Sequence, residues 1–130
     1  MLKNTSEGLS FIAAGLDWQA GDNVVISNQE FPSNRVVWES LRPRGVEVRY
    51  ADVSAGEPER AVIDLIDNRT RLVALSAVQY GTGLRLDLRR IGRHCEDGEV
   101  LFCVDAIQQI GALPLDVREA RADFVVADGH

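Results

Sequence analysis

The sequence is poor in the features that mark disulfide-rich, metal-binding and membrane-spanning proteins. Its only cysteines, Cys95 and Cys103, are too few for a disulfide framework and lack the Cys-x-x-Cys spacing of a zinc or redox site. No apolar run approaches the roughly 20 residues of a membrane-spanning helix, and the first residues lack the apolar stretch of a signal peptide. We therefore predict a cytoplasmic protein with two structural thiols and no metal site.

Positive charge is also scarce. The 130 residues contain 14 lysines and arginines against 20 aspartates and glutamates, which gives a net charge of -6. This balance argues against a nucleic-acid partner or an anionic membrane surface, so any anionic ligand must be held by a local site. The remaining composition, with 45% hydrophobic residues, is that of a globular protein, and the length suits one domain.

Five short apolar segments predict β-strands. Each is rich in β-branched residues and is bounded by polar residues or glycine. The segments are 24–27, 46–50, 72–78, 100–104 and 124–127. Because they are nearly continuous in hydrophobicity rather than alternating, we expect strands that are buried on both faces of a parallel sheet.

Helical patterns lie before and between these strands. The first begins near Thr5, with Asn4 as its cap, and its apolar side chains recur at positions 9, 12, 13 and 16 on one face. A second helix is predicted at about 33–41, and a third begins near Pro58. A fourth begins after Asp87, which we expect to be its cap. Alternating helices and strands predict an α/β fold: an open, mostly parallel sheet with helices on both faces, joined by right-handed crossovers.

Two parts of the chain fit this pattern less well. Segment 107–121 contains Gly111 and Pro114, which favour turns or a short extended piece over a regular helix. The last predicted strand also forms a bare sheet edge, and soluble domains normally cover such edges. We therefore expect residues 1–130 to be part of a larger domain, truncated at both ends.

Polar residues follow several of the predicted strands. Ligands of open α/β sheets bind beyond the carboxyl ends of the strands, where this sequence has Glu30, Gln79, Asp105, Gln108, Asp128 and His130. The start of the first helix adds Thr5 and Ser6, where unpaired backbone N–H groups and the helix dipole favour a phosphate. Structural roles stay open for these positions: Thr5 and Ser6 as helix caps, Asp105 as a turn residue and Phe31 as a core residue.

Five short motifs, in order, give the chain a resemblance to a known family. They are Asn4-Thr5-Ser6-Glu7-Gly8, Glu30-Phe31-Pro32-Ser33-Asn34, Gly81-Thr82-Gly83, Val104-Asp105-Ala106-Ile107-Gln108 and Ala127-Asp128-Gly129-His130. Together they resemble the class V aminotransferase family, which includes cysteine desulfurases, selenocysteine lyases, other carbon–sulfur lyases and isopenicillin N epimerase-like proteins. The resemblance implies the fold type I architecture, pyridoxal phosphate as cofactor, an amino-acid substrate and a homodimer. Residues 1–130 would form part of the large, cofactor-binding domain.

The resemblance also implies a role for each of seven residues. Thr5 and Ser6 match the phosphate-binding helix start, Phe31 the aromatic ring that stacks on the pyridine, and Gln108 the residue that hydrogen-bonds the phenolic oxygen. Asp128 and His130 match the stretch that contacts the phosphate. Asp105 matches the catalytic carboxylate that pairs with the pyridine nitrogen. A buried anion there keeps the nitrogen protonated, so that the ring acts as an electron sink.

Two departures from the family pattern affect the expected activity. In the family, the Schiff-base lysine directly follows the histidine matched by His130, and the only lysine of this sequence is Lys3. We therefore expect residues 1–130 by themselves to be inactive in the usual chemistry. Many desulfurases also have histidine where this chain has Phe31, which favours the lyase-like or epimerase-like members.

Two alternatives to an enzyme stay open. One is a phosphate- or nucleotide-binding α/β module, although Gly81-Thr82-Gly83 lacks the further glycine of a dinucleotide fingerprint. The other is a non-catalytic remnant of a split gene that assembles with another chain. A hydrolase triad of Ser76, Asp105 and His94 or His130 is disfavoured, because the sequence has no Gly-x-Ser-x-Gly elbow.

Overall fold

A computed structural model describes residues 5–30, 32–54, 56–77, 84–106 and 117–126. Within these ranges the helices are α1 (Thr5–Gly15), α2 (Ser33–Glu39), α3 (Pro58–Ile63), α4 (Leu88–Asp97) and α5 (Val117–Ala120). The strands are β1 (Asn23–Ser27), β2 (Glu47–Ala51), β3 (Thr70–Ser76), β4 (Leu101–Asp105) and β5 (Phe124–Val126). None of these helices combines the length and the apolar character needed to cross a membrane.

The five strands form one parallel sheet in the order β2-β1-β3-β4-β5. The chain moves outward from β1 to β2, then returns past β1 and adds β3, β4 and β5 on the other side. The direction of winding therefore reverses between β1 and β3, which are hydrogen-bonded neighbours. Open α/β sheets bind ligands beyond the carboxyl ends of their strands at such a switch point. The predicted parallel α/β architecture is confirmed.

Helices cover both faces of the sheet. Because successive side chains of a strand point to opposite faces, β1 contributes Val24 and Ile26 to one core and Val25 to the other. Helices α1 and α2 pack on the face of Val24 and Ile26. Helices α3, α4 and α5 pack on the face of Val25. The prediction that helices lie on both faces is confirmed.

The burial prediction is correct for the central strands and wrong for the edge strands. Every residue of β1 is buried, and β3 and β4 are buried at nearly all positions. In contrast, β2 exposes Glu47 and Tyr50, and β5 exposes Val125. An edge strand has a neighbouring strand on one side only and lies at the margin of the helical layers, so part of its surface stays in contact with water.

Helix α2 is shorter than predicted. It ends at Glu39, whereas the apolar pattern extends to residue 41. Pro43 has no N–H group to continue a helix, and Gly45 closes the following turn with a left-handed φ of 85°. Leu41 is buried in that turn. Of the apolar side chains of α2, Trp38 is fully buried and Val37 is partly buried.

Helix α4 follows its prediction closely. The Asp87 carboxylate accepts a hydrogen bond from the backbone N–H of Arg90 at 3.3 Å, so Asp87 is the N-cap. The buried side chains of α4 are Leu88, Ile91 and Cys95, and the exposed ones include Arg89, Arg90, Arg93 and His94.

Helix α5 differs from its prediction. Its four residues, Val117–Ala120, form a helix where the sequence predicts turns, and residues 107–116 lie outside the described ranges. The packing of α5 against α4 favours the helix. Gly92 of α4 lies so close to the carbonyl group of Ala120 that a Cβ at position 92 would collide with it.

Candidate functional site

Buried polar side chains collect at the carboxyl edge of the sheet. Ser27, Ser76 and Asp105 are the last residues of β1, β3 and β4, and Glu30 follows shortly after β1. All four are buried, and only 6% of Glu30 and 3% of Asp105 are exposed. Because β1 and β3 flank the switch point, these side chains lie where an open α/β sheet binds its ligand.

The Glu30 carboxylate accepts hydrogen bonds from both neighbouring strands and from α2. Its Oε2 accepts from the Ser27 hydroxyl at 2.6 Å. Its Oε1 accepts from the Asn34 side-chain amide at 2.8 Å, and from the backbone N–H at 3.0 Å and the hydroxyl at 2.7 Å of Ser76. A buried carboxylate needs such donors, because an unsatisfied buried charge is strongly destabilising. We refer to Ser27, Glu30, Asn34 and Ser76 as the Glu30 cluster.

Asn34 joins the Glu30 cluster to the helical layer. Its Nδ2 also donates to the Ala74 carbonyl of β3 at 3.3 Å, and its Oδ1 accepts from the Trp38 indole N–H at 2.9 Å. Asn34 and Trp38 are four residues apart, so they lie on the same face of α2. Trp38 is fully buried and meets Trp18 edge to face, with 6.4 Å between the ring centroids. The Glu30 cluster is therefore attached to the packed core.

Asp105 lies between β3 and β5 at the end of β4. It is paired with Ser76 of β3, and its carbonyl accepts the Ala77 N–H at 2.9 Å. The side chains of Asp105 and Cys103 point to the same face of the sheet, because they are two residues apart on one strand. Cys103 belongs to the core under α1 and α2, so Asp105 lies on that face as well.

Two carboxylates act on the Cys103 thiol. Burial raises the pKa of Cys103 to about 12, and the negative charges of Asp105 and Glu30 add to the increase. Both charges therefore lie within reach of the same side chain at this edge. The arrangement favours a protonated or cationic ligand and disfavours a free anion. Within the described residues, no group of three His, Cys, Asp or Glu side chains is placed to hold a metal ion.

The amino end of α1 points toward the same edge. Only residues 16–22 connect the end of α1 to the amino end of β1, so α1 runs back along the sheet and begins toward the carboxyl edge. Leu9 and Ala13 of α1 are buried against the face that carries Asp105. The unpaired N–H groups at the start of a helix create a positive potential that attracts anions.

The structure brings two of the predicted site elements to one edge and one face. Thr5 and Ser6 open α1, of which only the backbone is described at these two positions, and Asp105 ends β4. The other four residues with predicted roles lie outside the described ranges, and their roles stay predictions: Phe31, Gln108, Asp128 and His130. Gln79 and the motif Gly81-Thr82-Gly83 also lie outside these ranges.

The hydrolase triad is absent from the described residues. His94 is exposed on α4, whereas the Ser76 hydroxyl is buried and donates to Glu30. A serine that already donates to a carboxylate has no histidine base beside it in this part of the chain. The version of the triad with His130 lies outside the described ranges.

Sequence analysis missed the Glu30 cluster. Glu30 was identifiable as a polar residue after a strand, but nothing local indicated its partners. One signal was available, because Asn34 comes four residues after Glu30 and lies in the first turn of a helix. The bonds to Ser76 join residues 46 positions apart, and no local spacing pattern contains such a contact.

Comparison with known proteins identifies the family of this chain. The family model for aminotransferase class-V matches residues 1–130. The chain belongs to the aminotransferase class-V family. The resemblance carried by the five sequence motifs is therefore confirmed, and the cofactor of this family is pyridoxal phosphate.

Curated relatives of this family member include several desulfurases. A probable cysteine desulfurase from Methanothermobacter thermautotrophicus is 41% identical over 131 residues, which cover 98% of this chain and 32% of the relative. A probable cysteine desulfurase from Streptomyces coelicolor is 33% identical over 98% of this chain and 33% of the relative. The chain thus spans about a third of the length of these relatives.

Solved structures of the family share the fold of this chain. The cystine C–S lyase C-DES, in complex with its product cysteine persulfide, superposes with a TM-score of 0.90 and 28% identity over 98% of this chain and 36% of that chain. The cysteine desulfurase CsdA from Escherichia coli also has a TM-score of 0.90, with 27% identity over 98% of this chain and 34% of that chain. A variant of C-DES carries glycine covalently linked to its PLP cofactor.

The names of these relatives and structures indicate which subfamily the chain resembles. The relatives are mainly desulfurases, together with a carbon–sulfur lyase. They give no support to the preference against desulfurases that Phe31 suggests, and they agree with the wider expectation of a lyase or desulfurase within the class V family.

Proposed function

We propose that this chain supplies the ring-binding and phosphate-binding part of a pyridoxal-phosphate-dependent enzyme that cleaves a carbon–sulfur bond of an amino acid. The observation that carries the proposal is the buried Asp105 carboxylate at the end of β4, on the face and at the edge toward which α1 begins. Family membership supports the cofactor, and the desulfurases and the lyase among the relatives support the reaction.

Asp105 fits the ring end of the cofactor. A carboxylate that is 3% exposed is stabilised by a positively charged partner, so Asp105 would hold a proton on the pyridine nitrogen. Pyridoxal phosphate, when bound with its ring protonated, supplies the electron sink that chemistry at the α-carbon needs.

The start of α1 fits the phosphate end. Its 11 residues are long enough to give a helix dipole, and the first N–H groups of a helix have no intrahelical acceptor, so those at Thr5 and Ser6 would donate to the phosphate. The negative edge near Asp105 repels a phosphate, whereas the helix start attracts one. Charge therefore orients the ligand, with its protonated ring toward Asp105 and its phosphate toward the start of α1.

The remaining roles complete the proposal. Phe31 would cover the ring face, Gln108 would hydrogen-bond the phenolic oxygen, and Asp128 and His130 would contact the phosphate. The lysine that holds the cofactor in this family directly follows the histidine matched by His130, so its position lies beyond residues 1–130. The activity is therefore proposed for the natural protein, as a cytoplasmic homodimer.

Borohydride reduction tests the cofactor. The natural protein, isolated from its source, is reduced with borohydride, and its intact mass is compared with that of an unreduced sample. We expect a stable increase equal to one pyridoxyl group per chain, because reduction fixes a bound aldehyde to its amine. A protein without this increase, which nevertheless binds inorganic phosphate, would instead favour the phosphate-binding module.

Product analysis tests the reaction. We expect the reconstituted natural protein to release sulfide or persulfide from cysteine or cystine and to release none from alanine, which has no carbon–sulfur bond. Transfer of the amino group to a keto acid with both cysteine and alanine, without sulfur release, would show an aminotransferase and contradict the proposed reaction.

A further inference from the structure

The Glu30 carboxylate joins three elements at the carboxyl edge. Four donors from β1, β3 and α2 converge on its carboxylate, and three of them share Oε1. These donors are neutral groups, and within the described ranges Glu30 forms no ion pair with lysine or arginine. Glu30 therefore links β1, β3 and α2 through hydrogen bonds.

The link spans the switch point. Glu30 lies in the loop after β1, and its Oε1 accepts from Ser76 at the end of β3. The helices that follow these two strands, α2 and α4, lie on opposite faces of the sheet, and the last paired residues of β1 and β3 are Val25 and Val73. The strand pairing therefore does not fix the separation of Glu30 and Ser76 by itself. The hydrogen bonds of Glu30 supply that constraint.

The same link reaches the backbone of Asp105. The N–H of Ser76 donates to Glu30, and the N–H of the next residue, Ala77, donates to the carbonyl of Asp105 at 2.9 Å. Glu30 therefore holds Ser76 and Ala77 in place, and the end of β4 is hydrogen-bonded to this segment. A shift of Ser76 and Ala77 would move the Asp105 carboxylate relative to the start of α1.

We propose that Glu30 is a positioning residue of the cofactor site. It holds the loop after β1 to the end of β3, and through Ser76 and Ala77 it sets the position of Asp105 against the ring nitrogen of the cofactor. This inference rests on the proposed function. Glu30 acts through its neighbours, and its acceptor oxygen matters more than its charge.

A matched control exists at the other end of the same two strands. Asn23 and Thr70 are the first residues of β1 and β3, both are buried, and the Thr70 hydroxyl donates to Asn23 Oδ1 at 2.7 Å. Thr70→Val removes this buried hydrogen bond, together with the contacts of the same hydroxyl with Asp67, at the amino edge and far along the strands from Asp105. It tests whether any loss of stability between β1 and β3 disturbs the cofactor.

The experiment compares Glu30→Ala, Glu30→Gln and Thr70→Val in the natural holoenzyme. The readouts are the rate of pyridoxal phosphate release on dilution, the visible circular dichroism of the bound cofactor and unfolding in urea. We expect Glu30→Ala to release the cofactor about tenfold faster, since buried donors lose their acceptor, and to change the visible dichroism. Glu30→Gln keeps an oxygen for Asn34 and Ser76 and should stay near wild type. Thr70→Val should be less stable in urea with an unchanged cofactor signal.

Three results would overturn the inference. One is a Glu30→Ala protein that retains the cofactor with wild-type dichroism and release while losing stability as Thr70→Val does, which would make Glu30 structural only. Another is loss of the cofactor in Glu30→Gln as severe as in Glu30→Ala, which would make the charge decisive. A third is equal disturbance by Thr70→Val. If Glu30→Ala does not fold, Ser76→Ala removes one donor, and an unchanged release rate in that variant would overturn the inference.

The same experiment separates this inference from the proposed function. A wild-type protein without a visible cofactor signal would contradict the proposed function and this role together. A wild-type protein with the signal, combined with unaffected Glu30 variants, would contradict the role of Glu30 alone and leave the proposed function standing.

Discussion

Two buried carboxylates at one sheet edge have different tasks at the scale of the residue. Glu30 is surrounded by donors from three elements and connects them. Asp105 ends β4 on the face shared with α1 and is the candidate partner of a protonated ring. Both charges act on Cys103, so the electrostatic character of the edge is a property of the pair.

Asp105→Asn should separate chemistry from cofactor retention. We expect kcat of the natural protein to fall roughly a hundredfold, because an amide gives no negative charge to hold a proton on the ring nitrogen. Cofactor retention should change much less, because the donors at the start of α1 are untouched. Steady-state kinetics and the rate of cofactor release measure the two effects, with the exposed Asp97→Asn as control. Equal losses in both quantities would contradict the assignment.

The two thiols should make stability depend on alkaline pH. Burial raises the pKa of Cys95 and of Cys103 to about 12. A thiol in the unfolded chain ionises near pH 8.5, so its contribution is complete below about pH 8.5 and is lost as pH rises toward 12, by about 1.4 kcal/mol per pH unit. Urea unfolding of the wild type and of Cys103→Ala at about pH 8 and about pH 10 measures this loss. We expect the smaller loss in Cys103→Ala, and equal losses would contradict the prediction.

At the scale of the element, sequence signals were reliable where the cause is local. Asp87 caps α4 as its position predicts, and the continuous apolar runs became the central strands β1, β3 and β4. The exposure of β2 and β5 was not predictable, because it depends on which strands lie at the sheet edge. The early end of α2 has a local cause in Pro43 and Gly45. The prediction followed the apolar pattern to residue 41 and gave these two residues too little weight.

Gly92 should be essential to the packing of α4 against α5. A Cβ at this position would collide with the Ala120 carbonyl, so Gly92→Ala forces the helices apart. We expect a loss of about 2 kcal/mol in the free energy of unfolding, a typical effect of overpacking. Gly98→Ala, in which the nearest atom lies 3.5 Å from the added Cβ, is the control. Urea unfolding compares the two, and a Gly92→Ala protein as stable as the control would contradict this packing.

At the scale of the whole molecule, the site depends on the strand order. The carboxyl-edge position of Asp105 was predictable, because polar residues after strands of a parallel sheet meet at one edge. The Glu30 cluster was not, because its members become neighbours only when β3 lies beside β1. Local pattern therefore identified the edge, the family resemblance identified the candidate ring partner, and the tertiary order of strands determined how that edge is held together.

Amide hydrogen exchange should reflect this order. We expect the backbone amides of β1 and β3 to exchange more slowly than those of β2, because the central strands are buried and paired on both sides. Exchange measured by mass spectrometry on the natural protein tests this, with the exposed turn at 42–45 as the fast reference. Exchange in β2 as slow as in β1 would show that another part of the protein covers that edge.

The 46 positions between Glu30 and Ser76 have a consequence for biosynthesis. The intervening residues form α2, β2 and α3, so a nascent chain that has emerged only as far as α3 presents Glu30 without its β3 donors. The Glu30–Ser76 contact forms only when β3 lies beside β1, and closing so long a loop costs chain entropy. We therefore expect the carboxyl edge to be completed only after β3 has emerged from the ribosome, and Asp105 to reach its place only after β4 has followed. A ligand that contacts both the start of α1 and Asp105 would therefore bind only those chains in which the central strands have already paired.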